Sequence, residues 1–390
     1  MSSQLFSGIA VLSVIILLLI LLLRRLRQPY FIAYILSGIV LGPYTFNVIN
    51  EQEVILQLGE IGIILLMFTI GNEIELDRFK RGFYKPLSVA LVQVLLSLLC
   101  MYALGTYTGW NNAMIVLMGF IISLSSSAIV FQYLSRTGEL KSQLGFITGG
   151  VLLVQDILVI PMILTLNFMS GSNASATELI KVCIGGILLL LFLRAAITKK
   201  FLVLPMGKEI VADHDLQVFI GLSICFGMAW VSSWFGLSPA FGAFVAGIII
   251  GGDKSTRWLG KTLIPFRVFL MAFFFVAVGL QLDINFFVGN AATVLLITVA
   301  VLLINSVINA VLFKVTGNSW RDSVYGGALL SQIGEFSFVL MALALSLGLI
   351  GNYIYQLTLA VITLTMLLTT IWLTLIQRLI YRLPDKNTHN

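Results

Sequence analysis

The sequence predicts an all-α polytopic membrane protein with about thirteen transmembrane helices. Three observations carry that prediction. First, only 10% of its 390 residues are charged and 59% are hydrophobic, with a mean hydropathy of +1.04. A water-soluble domain carries about 25% charged residues, so this chain cannot cover a water-facing surface. Second, apolar runs long enough to cross a bilayer recur from end to end. Their cores lie near 5–23, 30–49, 54–72, 86–107, 112–134, 144–169, 179–198, 216–234, 237–252, 262–281, 288–313, 322–349 and 354–381. They do not alternate apolar and polar residues, which excludes a membrane β-barrel. Third, the basic residues are placed periodically, after alternate runs.

Arg24, Arg25 and Arg27 follow the first run, and Arg78, Lys80, Arg81 and Lys85 follow the third. Arg136 and Lys141 come next, then Lys199, Lys200 and Lys208, then Lys254, Arg257 and Lys261. Lys314 and Arg321 follow the eleventh run, and Arg378, Arg382 and Lys386 close the series. The intervening loops are nearly free of Lys and Arg, Lys181 excepted. This positive-inside pattern predicts an outer N-terminus and a cytoplasmic C-terminus in a bacterial inner membrane, with 383–390 as a short tail. The formal charge of +6 therefore signals topology and not nucleic-acid binding. The first run has no basic start and no small-residue cleavage site before its arginines, so it reads as a retained helix. Cys100, Cys183 and Cys225 lie inside apolar runs without ligand spacing and read as packing residues.

The chain echoes itself. Gln28-Pro-Tyr-Phe-Ile-Ala-Tyr-Ile-Leu-Ser-Gly-Ile-Val-Leu-Gly42 resembles Ser238-Pro-Ala-Phe-Gly-Ala-Phe-Val-Ala-Gly-Ile-Ile-Ile-Gly251. Phe68-Thr-Ile-Gly71 is matched by Phe275-Val-Ala-Val-Gly279, and both echoes are separated by about 208 residues. The copies lie seven runs apart, so their orientations oppose. Inverted repeats are the architecture of alternating-access transporters, whose sites lie near the midplane. Locally, Gly38, Gly42, Gly247 and Gly251 need only be close-packing positions.

Ionisable groups inside spans cost a few kcal/mol each and need a reason. Asp156 is the strongest candidate, in Gly149-Gly-Val-Leu-Leu-Val-Gln-Asp-Ile-Leu-Val-Ile-Pro161. Pro161 removes a helical hydrogen bond nearby. A carboxylate stripped of water can hold a small monovalent cation or a proton, as rivals. Gln155, beside it, is neutral, so a single acid predicts one-for-one, electroneutral exchange. Ser125, Ser126 and Ser127 in the fifth run, and Gly326, Gly327 and Ser331–Glu335 in the twelfth, mark local unwinding. The two broken helices are expected to cross, with the serines as candidate oxygen ligands and Glu335 countering the positive half-helix ends. Glu60 and Arg267 are further membrane charges. The only histidines, His214 and His389, fall in a loop and the tail, leaving pH dependence to carboxylates.

With those residues in view, the chain resembles the cation:proton antiporter-2 family, and within it the Kef-type potassium/proton antiporters. The resemblance rests on Ser37-Gly-Ile-Val-Leu-Gly-Pro43, Glu60-Ile-Gly-Ile-Ile-Leu-Leu-Met-Phe-Thr-Ile-Gly71, Leu124-Ser-Ser-Ser-Ala-Ile129, Gln155-Asp156, Pro265-Phe-Arg267, Phe274-Phe-Val-Ala-Val-Gly279 and Gly334-Glu-Phe336. It implies a NapA-like inverted-repeat fold with broken crossing helices 5 and 12. Residues 1–85 and 214–283 would form a dimerisation domain, 86–170 and 288–382 a mobile core, and 174–205 a linker helix. It also implies a homodimer, an elevator motion, and Asp156 as the cation- and proton-binding acid with Gln155 and the serines nearby. Gln155 leans the implied cation towards potassium, with sodium as the alternative. Kef-type proteins usually carry a nucleotide-binding regulatory domain. No Gly-x-Gly-x-x-Gly fingerprint occurs here, so neither that domain nor a cofactor is expected.

Two other classes are weighed. A gated cation channel would use the Asp156 cavity as a filter, but no repeated carbonyl filter signature is present. A membrane-embedded enzyme is disfavoured, since neither His-x-x-Glu-His nor Gly-x-Ser-x-Gly occurs.

Overall fold

The computed structural model describes residues 2–25, 30–48, 52–73, 84–170, 213–235, 239–251 and 262–382, together with 184, 185 and 188. Among them the regular structure is helical. The helices are α1 (Ser2–Arg25), α2 (Tyr30–Leu41), α3 (Gln52–Glu73), α4 (Tyr84–Thr108), α5 (Asn112–Ser123), α6 (Ser127–Thr137) and α7 (Gln143–Met169). They continue with α8 (His214–Trp234), α9 (Pro239–Gly251), α10 (Ile264–Gln281), α11 (Ile284–Gly289), α12 (Ala291–Val315), α13 (Trp320–Leu329), α14 (Phe336–Ser346) and α15 (Asn352–Arg382). Seven stretches among the described residues are long and apolar enough to cross a bilayer, with four shorter apolar helices besides. The seventh expected span (179–198) and the linker (174–205) lie outside the described residues except for 184, 185 and 188, as does the tail (383–390).

Polar caps punctuate the apolar helices where the chain turns. The Asn111 side chain accepts from Met114 N, Ser142 from Gly145 N, Asp213 from Leu216 N and Ser319 from Asp322 N. Each meets one of the amide groups that a helix start leaves without a partner.

The chain divides into two compact units, Met1–Arg81 with Asn173–Gln281, and Gly82–Ser172 with Leu282–Asn390. In the first, α3 packs against both α9 and α10, α10 against α2, and α8 against α9. Glycines make these contacts possible. A Cβ on Gly38 of α2 would collide with the Val276 carbonyl of α10, and one on Gly247 of α9 with the Phe68 carbonyl of α3. The two sequence echoes thus pack crosswise, each Gly-x-x-x-Gly helix lying on the second echo helix of the other copy. In this pair of contacts the small residues serve close approach.

The second unit repeats a simple order: a long helix, a broken pair, a long helix. It runs α4, α5/α6, α7 and then α12, α13/α14, α15. Ser125 in the first break, displaced by the echo spacing of about 208 residues, falls at Ile333 in the second break. The repeat therefore extends through both units. The core of this unit joins Val151, Leu152 and Val154 of α7 to Phe313 of α12, Leu329 of α13 and Leu373 of α15. That core holds the two breaks from outside.

Gly247→Ala should lower the thermal unfolding midpoint of the detergent-solubilised protein, because overpacking costs typically about 1–3 kcal/mol. Gly227→Ala, where an added Cβ meets nothing within 4 Å, should leave it unchanged. A dye-based thermal-shift assay of both variants makes the comparison.

Candidate functional site at the crossing of two helix breaks

A helix broken inside a bilayer exposes amide and carbonyl groups that lipid cannot satisfy. In the second unit several of these groups meet partners within the protein. α5 ends at Ser123 and α6 begins at Ser127, with Leu124 and Ser126 in extended conformation. α13 ends at Leu329 and α14 begins at Phe336. The two breaks bond directly: Gly334 N donates to the Leu124 carbonyl at 2.7 Å. Gly334 has no room for a side chain, since a Cβ there would lie 2.5 Å from the Ser125 carbonyl oxygen. Ser125 Oγ donates to the Leu330 carbonyl at 2.9 Å.

Neighbouring helices supply the remaining partners. Asn305 Nδ2 of α12 donates to both Ile122 O (2.8 Å) and Ser331 O (3.1 Å), joining the C-terminal ends of the two half-helices. Asn309 Nδ2 reaches Leu330 O at 3.4 Å. Ser337 Oγ donates to Ile121 O, and Ile333 N donates to Thr365 Oγ1. Gln93 Nε2 of α4 donates to Ser123 O, and Gln155 Oε1 of α7 accepts from Ser125 N at 3.0 Å. Neutral donors thus meet the carbonyl ends, where the helix dipole is negative.

The acids stand at the opposite, positive ends. Glu335, 1% exposed, precedes α14 and accepts from Ala128 N at the start of α6 (3.3 Å) and from Ser126 Oγ (2.7 Å). Both bonds go to the N-terminus of α6, and no side-chain bond caps α14. Ser126 Oγ also accepts from Ile129 N, so its one proton goes to Glu335 while it caps α6. Asp156 lies half-buried on α7 and accepts from Ser127 Oγ at 2.9 Å. The helix runs on through Pro161, whose missing N–H leaves the Ile157 carbonyl without its usual donor.

The structure therefore brings together Asp156, Gln155, Ser125, Ser126, Ser127 and Glu335, and it divides their work. Ser127 alone of the three serines bonds Asp156. Ser125 and Ser126 knit the crossing, and Gln155 turns its amide to Ser125 N and Gln93. Glu60 is exposed on α3, and Arg267 of α10 donates to Thr69 of α3 at 3.1 Å. Both belong to the first unit. Sequence reasoning missed Gln93, Asn305, Asn309 and Thr365, because it rested on ionisable residues, on Gln155 beside Asp156 and on clustered serines and glycines, and passed over isolated neutral side chains inside spans. Their signal was present: buried amides in otherwise apolar runs, with Asn305 and Asn309 four apart on one helix face. Gln332 falls inside the expected unwound stretch Ser331–Glu335 but was given no role of its own. It is buried in the second break with neither side-chain atom bonded to protein.

A family model described as "Sodium/hydrogen exchanger, transmembrane" matches residues 11–378. The chain belongs to this sodium/hydrogen exchanger family. Relatives and neighbours agree on its extent. The iron transporter MagA of Paramagnetospirillum magneticum is 30% identical over 381 residues, covering 98% of this chain and 87% of that protein. The fold is similar to that of the sodium proton antiporter MjNhaP1 from Methanocaldococcus jannaschii at pH 8, with a TM-score of 0.71 and 16% identity, covering 97% of this chain and 99% of the other. An electron-microscopy structure of MjNhaP1 gives a TM-score of 0.63 at 15% identity, covering 98% of this chain and 100% of the other. These matches are those of transporters and not of enzymes. They reach the broad exchanger family and do not extend to the narrower Kef-type assignment.

Two variants test the exchanger's crossing. Gly334→Ala should separate the breaks and lower both the unfolding midpoint and transport, since a Cβ has no space. Ser127→Ala should leave folding intact and weaken apparent cation affinity roughly ten-fold, the worth of one hydrogen bond to a charged group. Initial rates against cation concentration in proteoliposomes read the second effect.

Proposed function

We propose that this chain is a monovalent cation/proton antiporter in which Asp156 holds either the cation or the proton. The observation that carries the reading is the Asp156 carboxylate, half-buried in a span and bonded to Ser127 at the first turn of a broken helix. A carboxylate with one hydroxyl beside it and unwound backbone close by is an oxygen site suited to a small, partly dehydrated cation. Neutralising that carboxylate with a proton releases the cation.

Sodium is the leading cation. The family description and the printed name of MjNhaP1 both favour it. Potassium, favoured by the Kef resemblance and by the neutral Gln155, is the alternative. The relative named as an iron transporter raises a third ion. Among the described residues, however, no three His, Cys, Asp or Glu side chains cluster as transition-metal ligands, which supports a monovalent ion. Exchange is electroneutral in this reading, because one carboxylate trades one proton for one cation. Every side chain of the site lies in the second unit, which supports its moving as one transport body, with the first unit as a dimerising scaffold in the cell membrane.

Reconstituted protein should acidify or alkalinise the vesicle lumen in response to a sodium gradient, at a rate insensitive to membrane potential. Asp156→Asn should abolish the response. Coupled exchange surviving in Asp156→Asn overturns the site. Cation flux without proton counterflow overturns antiport in favour of a channel. A faster response to potassium than to sodium reverses the ion assignment.

A further inference from the structure

The two buried glutamines form a directed chain around the first break. Ser125 N donates to Gln155 Oε1 at 3.0 Å, Gln155 Nε2 donates to Gln93 Oε1 at 2.6 Å, and Gln93 Nε2 donates to Ser123 O at 3.3 Å. Both side chains are 0% exposed. The chain starts at the Ser125 amide inside the break and ends at the Ser123 carbonyl just before it, so it brackets Leu124 from one side. Each amide gives a hydrogen bond at one end and receives one at the other. Turning either round would set donor against donor at Ser125 N or acceptor against acceptor at Ser123 O. The direction is therefore fixed by the two backbone groups.

That arrangement gives Gln93 a role that its distance from Asp156 along the sequence conceals. Its Oε1 requires a donor at position 155, which an amide supplies and an ionised carboxylate does not. By holding Gln155, it also holds Ser125 N, two residues before Ser127, whose hydroxyl meets Asp156. We infer that Gln93 is a positioning residue for the exchange site: it orients Gln155, and through the Ser125 amide it sets where Ser127 stands against Asp156. It touches no ion. Its effect should appear in cation affinity and discrimination, which depend on the placing of oxygens, more than in maximal rate.

This inference rests on the exchange reading above, and a double-mutant cycle separates the two. Wild type, Gln93→Leu, Gln155→Leu and the double variant are reconstituted as full chains and assayed with lithium, sodium and potassium. Gln93→Leu should raise the apparent cation KM roughly ten-fold and flatten discrimination among the ions, with maximal rate largely kept. In the Gln155→Leu background the same change should add little, because its target is gone. Gln93→Glu keeps both bonds only when protonated, accepting from Gln155 and donating to Ser123 O, and in that form should retain most of the discrimination that Gln93→Leu loses. Equal effects of Gln93→Leu in both backgrounds overturn the inference. So does a loss of maximal rate alone, or identical behaviour of the Leu and Glu variants. Should Gln93→Leu fail to fold, Gln93→Glu and the Gln155→Leu background carry the comparison. A wild type that moves no protons refutes antiport instead. The cycle is then read from the shift in unfolding midpoint that each cation produces, where independence of the two sites again overturns the inference.

Discussion

The crossing of two interrupted helices depends on one constraint: inside a bilayer, a backbone amide or carbonyl finds a partner in the protein or goes without. Leaving such groups unmet costs on the order of a few kcal/mol each. Breaking two helices at one place would multiply that cost. The second unit meets it with direct bonding between the breaks, Gly334 N to Leu124 O, and with a ring of polar side chains from α4, α7, α12 and α15. The buried amides of Gln93, Gln155, Asn305 and Asn309 are therefore parts of the fold before they are parts of any transport step.

The same arrangement separates charge by function. The positive end of α6 is met by Glu335, whose two oxygens are both engaged there. The negative ends of α5 and α13 share the neutral amide of Asn305. With the dipoles answered in this way, Asp156 is not consumed in stabilising the crossing. Its side-chain partner among the described residues is the Ser127 hydroxyl, a group that can also serve a cation as an oxygen ligand. Glu335 and Asp156 differ in how many fixed donors each accepts, which supports the proposal that Asp156 is the exchanging acid.

Gln155 changes meaning in this setting. As a sequence feature it is the neutral neighbour that limits exchange to one titrating group. In the fold it is a link between Ser125 N and Gln93 Oε1, and its neutrality is demanded by the acceptor facing it. In the proposed exchange, stoichiometry and architecture are then one constraint: an ionised second acid at this position would have no place in the existing hydrogen-bond chain unless Gln93 changed with it.

The amino-acid sequence by itself determined the membrane-helical class, because composition and run length decide solvent partition without any knowledge of contacts. It also determined the repeat, the two broken spans and the candidate acids Asp156 and Glu335, since glycines, serines and buried charges are exceptional inside apolar runs. It placed Ser125, Ser126 and Ser127 together as alternatives. Only the tertiary structure decided that Ser127 faces Asp156, Ser126 faces Glu335 and Ser125 faces Leu330. Adjacent residues at a helix start point in different directions, and their partners lie some 30 to 200 positions away along the chain. The amides of Gln93, Asn305 and Asn309 became legible for the same reason: a neutral polar side chain in a span shows that it needs a partner, and the fold alone says which backbone group that partner is.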